Sequence, residues 1–147
     1  MTGQVDAIWV KRAHKGQMDP VDSALLDDQG IVGNADRGGR RQVTLISAEA
    51  WAAACEALGE DVDPVARRAN VLVSGVDLEG TRGRTLRIGD AELEITTETV
   101  PCRLMDFVHD GLMDALKPEW RGGVSARVLS AGAISVGDAV ELRTTEG

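Results

Sequence analysis

Alternating hydrophobic and polar positions predict many short β-strands along this chain. The segment 85–95 alternates apolar and charged residues, turns at Gly89-Asp90 and then alternates back, which is the pattern of a β-hairpin. Short apolar or β-branched runs predict further strands near the start of the chain, at 42–46 and 70–75, and near its end. Many short strands joined by glycine-containing turns predict a mostly antiparallel β-barrel or β-sandwich.

One segment has the period of a helix instead of a strand. Trp51, Cys55 and Leu58 lie at i, i+4 and i+7 and form one apolar stripe, which predicts the main helix at about 48–58. Cys55 is therefore predicted to pack in the core. The residues suited to begin and end this helix are Ser47 and Gly59. A shorter, partly helical stretch is predicted at about 103–117.

Composition narrows the class of protein. With 147 residues, of which 43% are hydrophobic and 27% charged, we expect a single globular domain over residues 1–147. The chain has no apolar run near the ~20 residues that a membrane-spanning helix needs, and its N-terminus lacks the layout of a signal peptide. Its two cysteines form neither a disulfide framework nor a CxxC metal motif. We therefore expect a cytoplasmic protein with reduced thiols.

Charge excludes two classes of partner. The formal net charge is −8, which argues against general affinity for nucleic acid or for an anionic membrane surface. One Phe, three Trp and no Tyr also leave too few aromatic rings for a base-stacking platform. Positive charge is nevertheless concentrated in a few clusters, an arrangement suited to a small anionic cofactor or substrate in a pocket. The alternative interpretation is that these arginines are solvated surface residues.

Two loops combine cationic side chains with glycine. The loop after the first strand contains Lys11, Lys15 and His14, whose imidazole could carry protons or simply be solvated. The glycine-rich segment 33–45 has three arginines that could supply forked donors to a phosphate or carboxylate, although it matches no nucleotide-binding motif. These arginines are Arg37, Arg40 and Arg41.

A third segment pairs a cation with an amide. Arg68 and Asn70 lie two residues apart, where a helical turn is predicted to become a strand. Residues at i and i+2 of an extended chain face the same side, so both could meet one ligand. A surface arginine beside a capping asparagine would give the same pattern.

The sequence Pro101-Cys102-Arg103 places a cysteine between a rigid residue and a permanent cation. Proline fixes its own φ, and a neighbouring guanidinium favours the thiolate, which is the nucleophile and the metal ligand. His109 could serve as its base, or could be solvated on its polar turn. Cys102 is thus either a reaction centre or a small apolar residue that happens to lie beside an arginine.

Taken in order, five segments resemble the MOSC domain, which is named after the C-terminal domain of molybdenum cofactor sulfurases. The segments are GNADRGGRRQVTL, RRANVLVSGVDL, LRIGDAELEIT, PCRLM and RGGVSARVLSAGAISVGDAV. The resemblance runs from about residue 3 to residue 143. It implies a mostly β fold, a MOSC-type β-barrel with one main helix and a few short helices.

The resemblance also implies a function centred on Cys102. Family members bind a molybdenum–pterin cofactor, or carry sulfur, through the cysteine at this position, which makes Cys102 the implied catalytic residue and metal ligand. It further implies cofactor-binding roles for a set of polar residues. These are Arg68, Asn70 and the basic residues around Lys11 to Lys15, while the charge clusters predict Arg37 and Arg103 as further cofactor-binding residues. Pyridoxal phosphate binding is a further association at the level of the family.

Three functions stay open at this point. The first is a molybdenum-dependent reductase of N-hydroxylated or N-oxygenated compounds, which would need an electron-donor protein. The second is a carrier of persulfide sulfur or of the cofactor, with a sulfur-donor partner and no turnover. The third is a binding module whose cysteine is incidental. Asp36 stands where many single-domain members have histidine, so the role of that imidazole is absent or changed here.

Overall fold

The computed structural model describes residues 2–143, and β-strands dominate them. The strands are β1 (Thr2–Lys11), β2 (Met18–Val21), β3 (Ser23–Asp27), β4 (Gly30–Ile31), β5 (Val43–Ser47), β6 (Val71–Ser74), β7 (Thr85–Ile88), β8 (Ala91–Glu98), β9 (Val124–Ser130), β10 (Gly132–Ser135) and β11 (Ala139–Arg143). The helices are α1 (Ala48–Leu58), α2 (Met105–Val108) and α3 (Leu112–Leu116), with 3-10 turns at Pro64–Arg67 and Pro118–Trp120.

Seven strands close into a barrel. Their order is β11-β7-β8-β9-β5-β6-β1, and β1 pairs again with β11 to complete the ring. β2 continues the sheet beyond β1, while β10, β3 and β4 form a separate small sheet. Every pair in the ring is antiparallel except β5 and β6. The predicted mostly β fold is confirmed, and of the two architectures that the pattern allowed, the chain adopts the barrel.

The barrel interior is filled by apolar side chains. Its most deeply buried residues are isoleucines, leucines and valines that alternate with exposed residues along the strands. The largest of them are Ile8, Leu26, Ile31, Leu45, Leu86, Ile88, Leu93, Ile95 and Ile134. A close-packed interior of this kind makes the strand ends rigid supports for a site.

The main helix lies where its apolar stripe predicts it. Ser47 Oγ accepts a hydrogen bond from Ala50 N at 3.3 Å, and Gly59 ends the helix with φ 78°. Trp51 and Cys55 are buried in a second hydrophobic cluster, formed by α1, α2 and α3 outside the barrel. Because α1 carries the chain back across the barrel, β5 and β6 can run parallel.

The hydrophobic pattern predicts none of the strands β2, β3 and β4. They are short, from two to five residues, and β3 gains its main partner from the far end of the chain, with Leu25 opposite Ala133. β3 is stabilised by backbone hydrogen bonds to a strand far away in the sequence. It therefore forms without a strong alternation of apolar and polar residues of its own. None of the described helices is long and apolar enough to cross a membrane.

Candidate functional site

A cavity of about 290 Å³, here called the barrel-end cavity, opens where several strands meet. β1 and β8 end here, and their antiparallel neighbours β6 and β9 begin here together with β5. The polar residues that matter most in its lining are Lys11, Asp36, Arg41, Arg68, Asn70 and Thr99. Three of the segments that the sequence singled out therefore meet at one end of the barrel.

Asn70 is buried in this cavity wall, and its amide bonds to the protein on every side. Its Nδ2 donates to Trp9 O and to Asn34 Oδ1, each at 3.2 Å. Its Oδ1 accepts from Thr44 N at 3.1 Å and lies 3.2 Å from Thr44 Oγ1. An amide has two donors and two acceptor positions, so Asn70 uses its whole capacity to join β1, β5 and the loop at Asn34. The side chain acts here as a fixed part of the wall.

Arg68 and Arg41 present positive charge to the barrel-end cavity. Arg68 has left-handed backbone with φ 62°, and its guanidinium donates to the carbonyl of Gly16 in the loop after β1. Arg41 is exposed and has no ion-pair or hydrogen-bond partner for its side chain among residues 2–143. Both guanidinium groups retain donors for an anion. The sequence placed Arg41 in a cluster without indicating that it, rather than Arg37, faces the cavity.

Lys11 reaches the same cavity, but Asp36 neutralises it. The Lys11 ammonium forms a short ion pair with Asp36, and His14 Nδ1 lies 3.5 Å from the same carboxylate. The hydrogen bond from Lys11 holds the pKa of Asp36 below its usual value, against the opposing effect of partial burial. Asp36 thus takes up one positive charge of the cavity and also lies close to the imidazole of His14.

Three predicted cofactor-binding residues, Lys15, Arg37 and Arg103, are not among those that line the barrel-end cavity. Arg37 turns away to the β3–β4 hairpin, where it donates to Ile31 O at 2.7 Å and forms a forked pair with Asp27. The hydrogen bond from Arg37 lowers the pKa of the Asp27 carboxyl. Lys15 is exposed in a left-handed turn with φ 60°.

Arg67, which the sequence showed only as the neighbour of Arg68, supports the loop that carries Cys102. Its Nε donates to Gly122 O at 2.9 Å, and its Nη2 donates to Thr99 O at 2.8 Å. Burial lowers the pKa of Arg67, and a negative charge on the nearby Cys102 sulfur would oppose that shift. The guanidinium therefore joins the end of β8 to the start of β9 and also lies within Coulombic reach of the thiolate.

Gly122 allows this close approach. A Cβ at this position would lie 2.7 Å from Thr99 O and 3.1 Å from Cδ of Pro101. Those separations are shorter than packed atoms tolerate, so only glycine fits between the two strand ends. The buried ring of Pro101 then holds the following residue, Cys102, at a defined place on the surface.

Cys102 is exposed, and apolar side chains surround it along the chain. Its carbonyl accepts a hydrogen bond from Met105 N at 3.0 Å, which closes a turn into α2. Phe107, the single phenylalanine of the protein, is 85% exposed. The other large apolar residues exposed on this segment are Val100, Leu104 and Val108. A thiol at the surface with an apolar rim is open to a large reactant.

Among residues 2–143, neither Arg103 nor His109, the two residues predicted to act on Cys102, is held in position by a side-chain hydrogen bond to the loop that carries Cys102. Arg103 is exposed, and its side chain has no hydrogen-bond or ion-pair partner within the described part of the chain. His109 Nδ1 lies 3.0 Å from the carbonyl oxygen of Asp110, which occupies that ring nitrogen. Of the cations near Cys102, Arg67 is therefore the one that the fold holds in position.

A smaller cavity of about 110 Å³ connects these parts. It is lined by Arg67 and Gly122 on the Cys102 side, and it shares Thr44, Arg68 and Thr99 with the barrel-end cavity. Cys102 follows Thr99 by three positions and lines neither cavity. The arrangement is a polar, cation-lined cleft at the barrel end, and the exposed thiol of Cys102 follows three residues after Thr99 in its wall.

Comparison with known proteins agrees with this architecture. A model of the MOSC domain matches residues 14–141, whereas no curated protein sequence matches the chain. The solved structure of the YuaD protein from Bacillus subtilis superposes with a TM-score of 0.82 at 22% identity, covering 99% of this chain and 98% of that one. YiiM from Escherichia coli gives a TM-score of 0.76 at 18% identity and covers 100% and 72%. These structures show the fold, and the family model, which spans nearly the whole sequence, shows that the chain belongs to the MOSC domain family.

Proposed function

We propose that this protein binds a molybdenum cofactor through Cys102 and reduces N-hydroxylated or N-oxygenated compounds with electrons from another protein. The observation that carries the proposal is the position of Cys102. The thiol is exposed on a loop that Arg67 and Pro101 hold, three residues after Thr99, which lines the cation-lined barrel-end cavity. A thiolate in a fixed position, next to an anion-binding cleft, suits a soft metal on an anionic organic ligand.

The donor set fits a metal that arrives with its own ligand. Within residues 2–143 there is no group of three or more His, Cys, Asp or Glu side chains that could hold a metal ion. One thiolate cannot by itself retain a free ion, but it can complete the coordination of a metal already bound to an organic dithiolate. When bound, the cofactor would supply a redox-active metal centre.

The chain's own residues would divide the remaining work. Arg68 and Arg41 have free donors for a phosphate group, while Asn70 keeps the cavity wall rigid. The same cations would accept the phosphate of pyridoxal phosphate. Leu104 and Phe107 offer apolar surface to the body of a substrate near Cys102.

The direct test replaces the thiol. Cys102→Ser keeps the shape of the side chain but substitutes a mostly protonated hydroxyl for a soft thiolate. In a host that makes the cofactor, wild-type protein should hold molybdenum in stoichiometric amount, and Cys102→Ser should lose both the metal and the reductase activity at unchanged thermal stability. Cys55→Ala is the matched control and should retain both. Full metal content and activity in Cys102→Ser would disprove the mechanism.

The second test concerns the phosphate. Arg68→Ala should weaken cofactor retention by about 1.5–3 kcal/mol, the size of a hydrogen bond to a charged group. Its unfolding midpoint should stay near that of wild type, because the side-chain bond lost within residues 2–143 is the one to Gly16 in the loop after β1. Arg37→Ala, which removes an arginine outside the cavity, should retain the cofactor. Normal retention with early melting of Arg68→Ala would show that Arg68 has a structural role.

A carrier function is the second candidate, and the exposure of Cys102 favours it. In that reaction the Cys102 thiolate attacks the outer sulfur of a donor persulfide, a sulfur–sulfur bond forms, and the donor thiolate leaves. Cyanide-labile sulfur on Cys102 without bound molybdenum would support the carrier function over the reductase. Both functions need a reduced thiol, which is why we place the protein in the cytoplasm.

A further inference from the structure

Three arginines line a second cavity, here called the arginine cavity, which shares no lining residue with the barrel-end cavity. Its volume is about 500 Å³. Arg40 enters it from the loop before β5, Arg82 from the turn before β7, and Arg127 from β9. Three separate parts of the chain thus direct positive charge to one place on the surface of an acidic protein.

The charge of the arginine cavity is only partly compensated by the residues that line it. Its one lining carboxylate, Glu94, accepts a hydrogen bond from Arg127 Nε at 2.6 Å. Among residues 2–143, neither Arg40 nor Arg82 has an ion-pair partner, although the net charge of the chain is −8. Cations that face one another cost free energy unless an anion lies between them. Acidic side chains are plentiful in this protein, yet those among residues 2–143 form no ion pair with either guanidinium group.

The backbone of the arginine cavity is suited to close approach. Gly39 and Gly83 adopt left-handed φ values of 70° and 85°, and a Cβ at either position would meet nothing within 4 Å. The positive φ values favour glycine at these two turns. Because glycine has no side chain, the backbone amides there stay open to a ligand. Arginine forks beside open backbone match the several oxygen atoms of a phosphate group.

One loop forms the wall between the two cavities. Arg40 lines the arginine cavity and Arg41, the next residue, lines the barrel-end cavity. Thr96 Oγ1 lies within hydrogen-bonding distance of the carbonyl oxygens of both Arg40 and Ser125, and Ser125 lines the barrel-end cavity. The position of Arg40 is thus tied to the same strands that support the site beside Cys102.

We propose that the arginine cavity binds a phosphomonoester of a small organic molecule. The two free guanidinium groups meet the charge of a phosphate dianion. A volume of about 500 Å³ leaves room for the organic part beside it. The proposal stands apart from the function assigned to Cys102, because it uses none of the residues of that site.

The test is a titration of the full chain, followed through the backbone amide signals of Gly39 and Gly83 by NMR. The probes are ribose 5-phosphate, ribose and inorganic phosphate. We expect ribose 5-phosphate to shift both amides to saturation and ribose to shift neither. Arg82→Gln and Arg40→Gln should each weaken the binding of ribose 5-phosphate at least tenfold. Arg87→Gln, which alters an exposed arginine that pairs with Glu92 outside the cavity, should leave it unchanged.

Several results would overturn the assignment. Inorganic phosphate that binds as tightly as ribose 5-phosphate would exclude a site built for a phosphomonoester. Shifts confined to Thr44 and Asn70 would place the ligand in the barrel-end cavity instead. An absence of saturation, or equal loss of affinity in Arg87→Gln and Arg82→Gln, would show that the arginines are solvated surface residues.

Discussion

The two cysteines of this protein lie in contrasting regions, one that buries the thiol and one that exposes it. Cys55 is buried on α1, among the apolar residues packed between that helix and α3, and its Sγ lies 3.8 Å from Val62 O. Cys102 is exposed on the loop after β8, within Coulombic reach of Arg67. A buried thiol behaves as a small apolar group, whereas an exposed thiol near a cation can react. The difference shows that the accessibility of each thiol follows from its position in the fold and not from residue type.

Thiol labelling should give the largest contrast between the two regions. A reagent reaches Cys55 only after α1 opens locally, which costs at least about 3 kcal/mol in a packed cluster and predicts labelling at least about 100-fold slower than at Cys102. Mass spectrometry of the two cysteine-containing peptides measures both rates. In denaturant the rates should converge. Similar rates in the native protein would contradict both the packing of α1 and the exposure of Cys102.

Replacement of Arg67 should affect the Cys102 region next most strongly. Arg67→Met leaves the carbonyl oxygens of Thr99 and Gly122 without their charged donor, which should cost about 2–4 kcal/mol in the free energy of unfolding. It should also slow labelling of Cys102 by iodoacetate, an anion, more than by neutral iodoacetamide, because the neighbouring positive charge is lost. Denaturant unfolding and the two labelling rates provide the readouts.

Arg103→Gln is the matched control for Arg67→Met. Arg103 is exposed without a described partner, so its loss should leave the free energy of unfolding within about 0.5 kcal/mol of wild type. Suppose that Arg103→Gln changed the ratio of the iodoacetate and iodoacetamide rates as much as Arg67→Met. Arg103 would then be a cation that promotes the reaction of Cys102, as the sequence predicts.

Truncation of each cysteine to alanine separates packing from exposure. Cys55→Ala should lower the free energy of unfolding by about 1–2 kcal/mol, because it leaves a small void in the cluster around α1. Cys102→Ala should change it by less than about 0.5 kcal/mol, since an exposed side chain fills no void. Urea denaturation of the two variants gives the comparison. A larger loss in Cys102→Ala would mean that this residue is part of the core.

The smallest effect should come from Asp36, whose pKa is lowered mainly by the hydrogen bond from Lys11. A carboxyl whose pKa is lower in the folded state stabilises the protein above the unfolded-state pKa of about 3.9, and that stabilisation is lost as the pH falls through the folded value. The pair is partly exposed, so Asp36→Asn should cost less than about 1 kcal/mol at pH 7.

Unfolding of wild type and Asp36→Asn at pH 7 and near pH 2.5 measures this difference, which should shrink at the lower pH. The labelling rates of Cys55 and Cys102 serve as the internal control, because neither thiol contacts Asp36. A stability difference that persisted at low pH would show that Asp36 acts through packing instead of charge.

Much of the fold was predictable because its signals are local. The period of Trp51, Cys55 and Leu58 predicted α1, and alternation around Gly89-Asp90 predicted the hairpin of β7 and β8. Each of these patterns depends on neighbours a few residues away. The order of five segments predicted the family, which the match to residues 14–141 confirmed.

The site was predictable only as a set of segments. The sequence singled out Cys102 and Arg68, of which Arg68 lines the barrel-end cavity and Cys102 is exposed outside it, and the roles of both stay predictions. It could not separate Arg37 from Arg41, because the direction of each side chain depends on partners such as Asp27 and on the turn at Gly38 and Gly39. When several arginines lie close together in the sequence, the local pattern does not indicate which of them faces the cavity.

What the sequence by itself determined, then, is the set of local elements and the chemistry available to them: strands, one amphipathic helix, one cysteine in the core and one outside it. The alternation of residues left barrel and sandwich open, and the resemblance to the MOSC domain predicted the barrel that the chain forms. Only the tertiary structure decided the strands β2 to β4 and the role of Arg67, whose bonds to Thr99 and Gly122 span 32 and 55 residues. The physical reason is that a hydrogen bond or an ion pair depends on distance in space. Residues far apart in the chain reach that distance only after the strands have paired and the loops have closed.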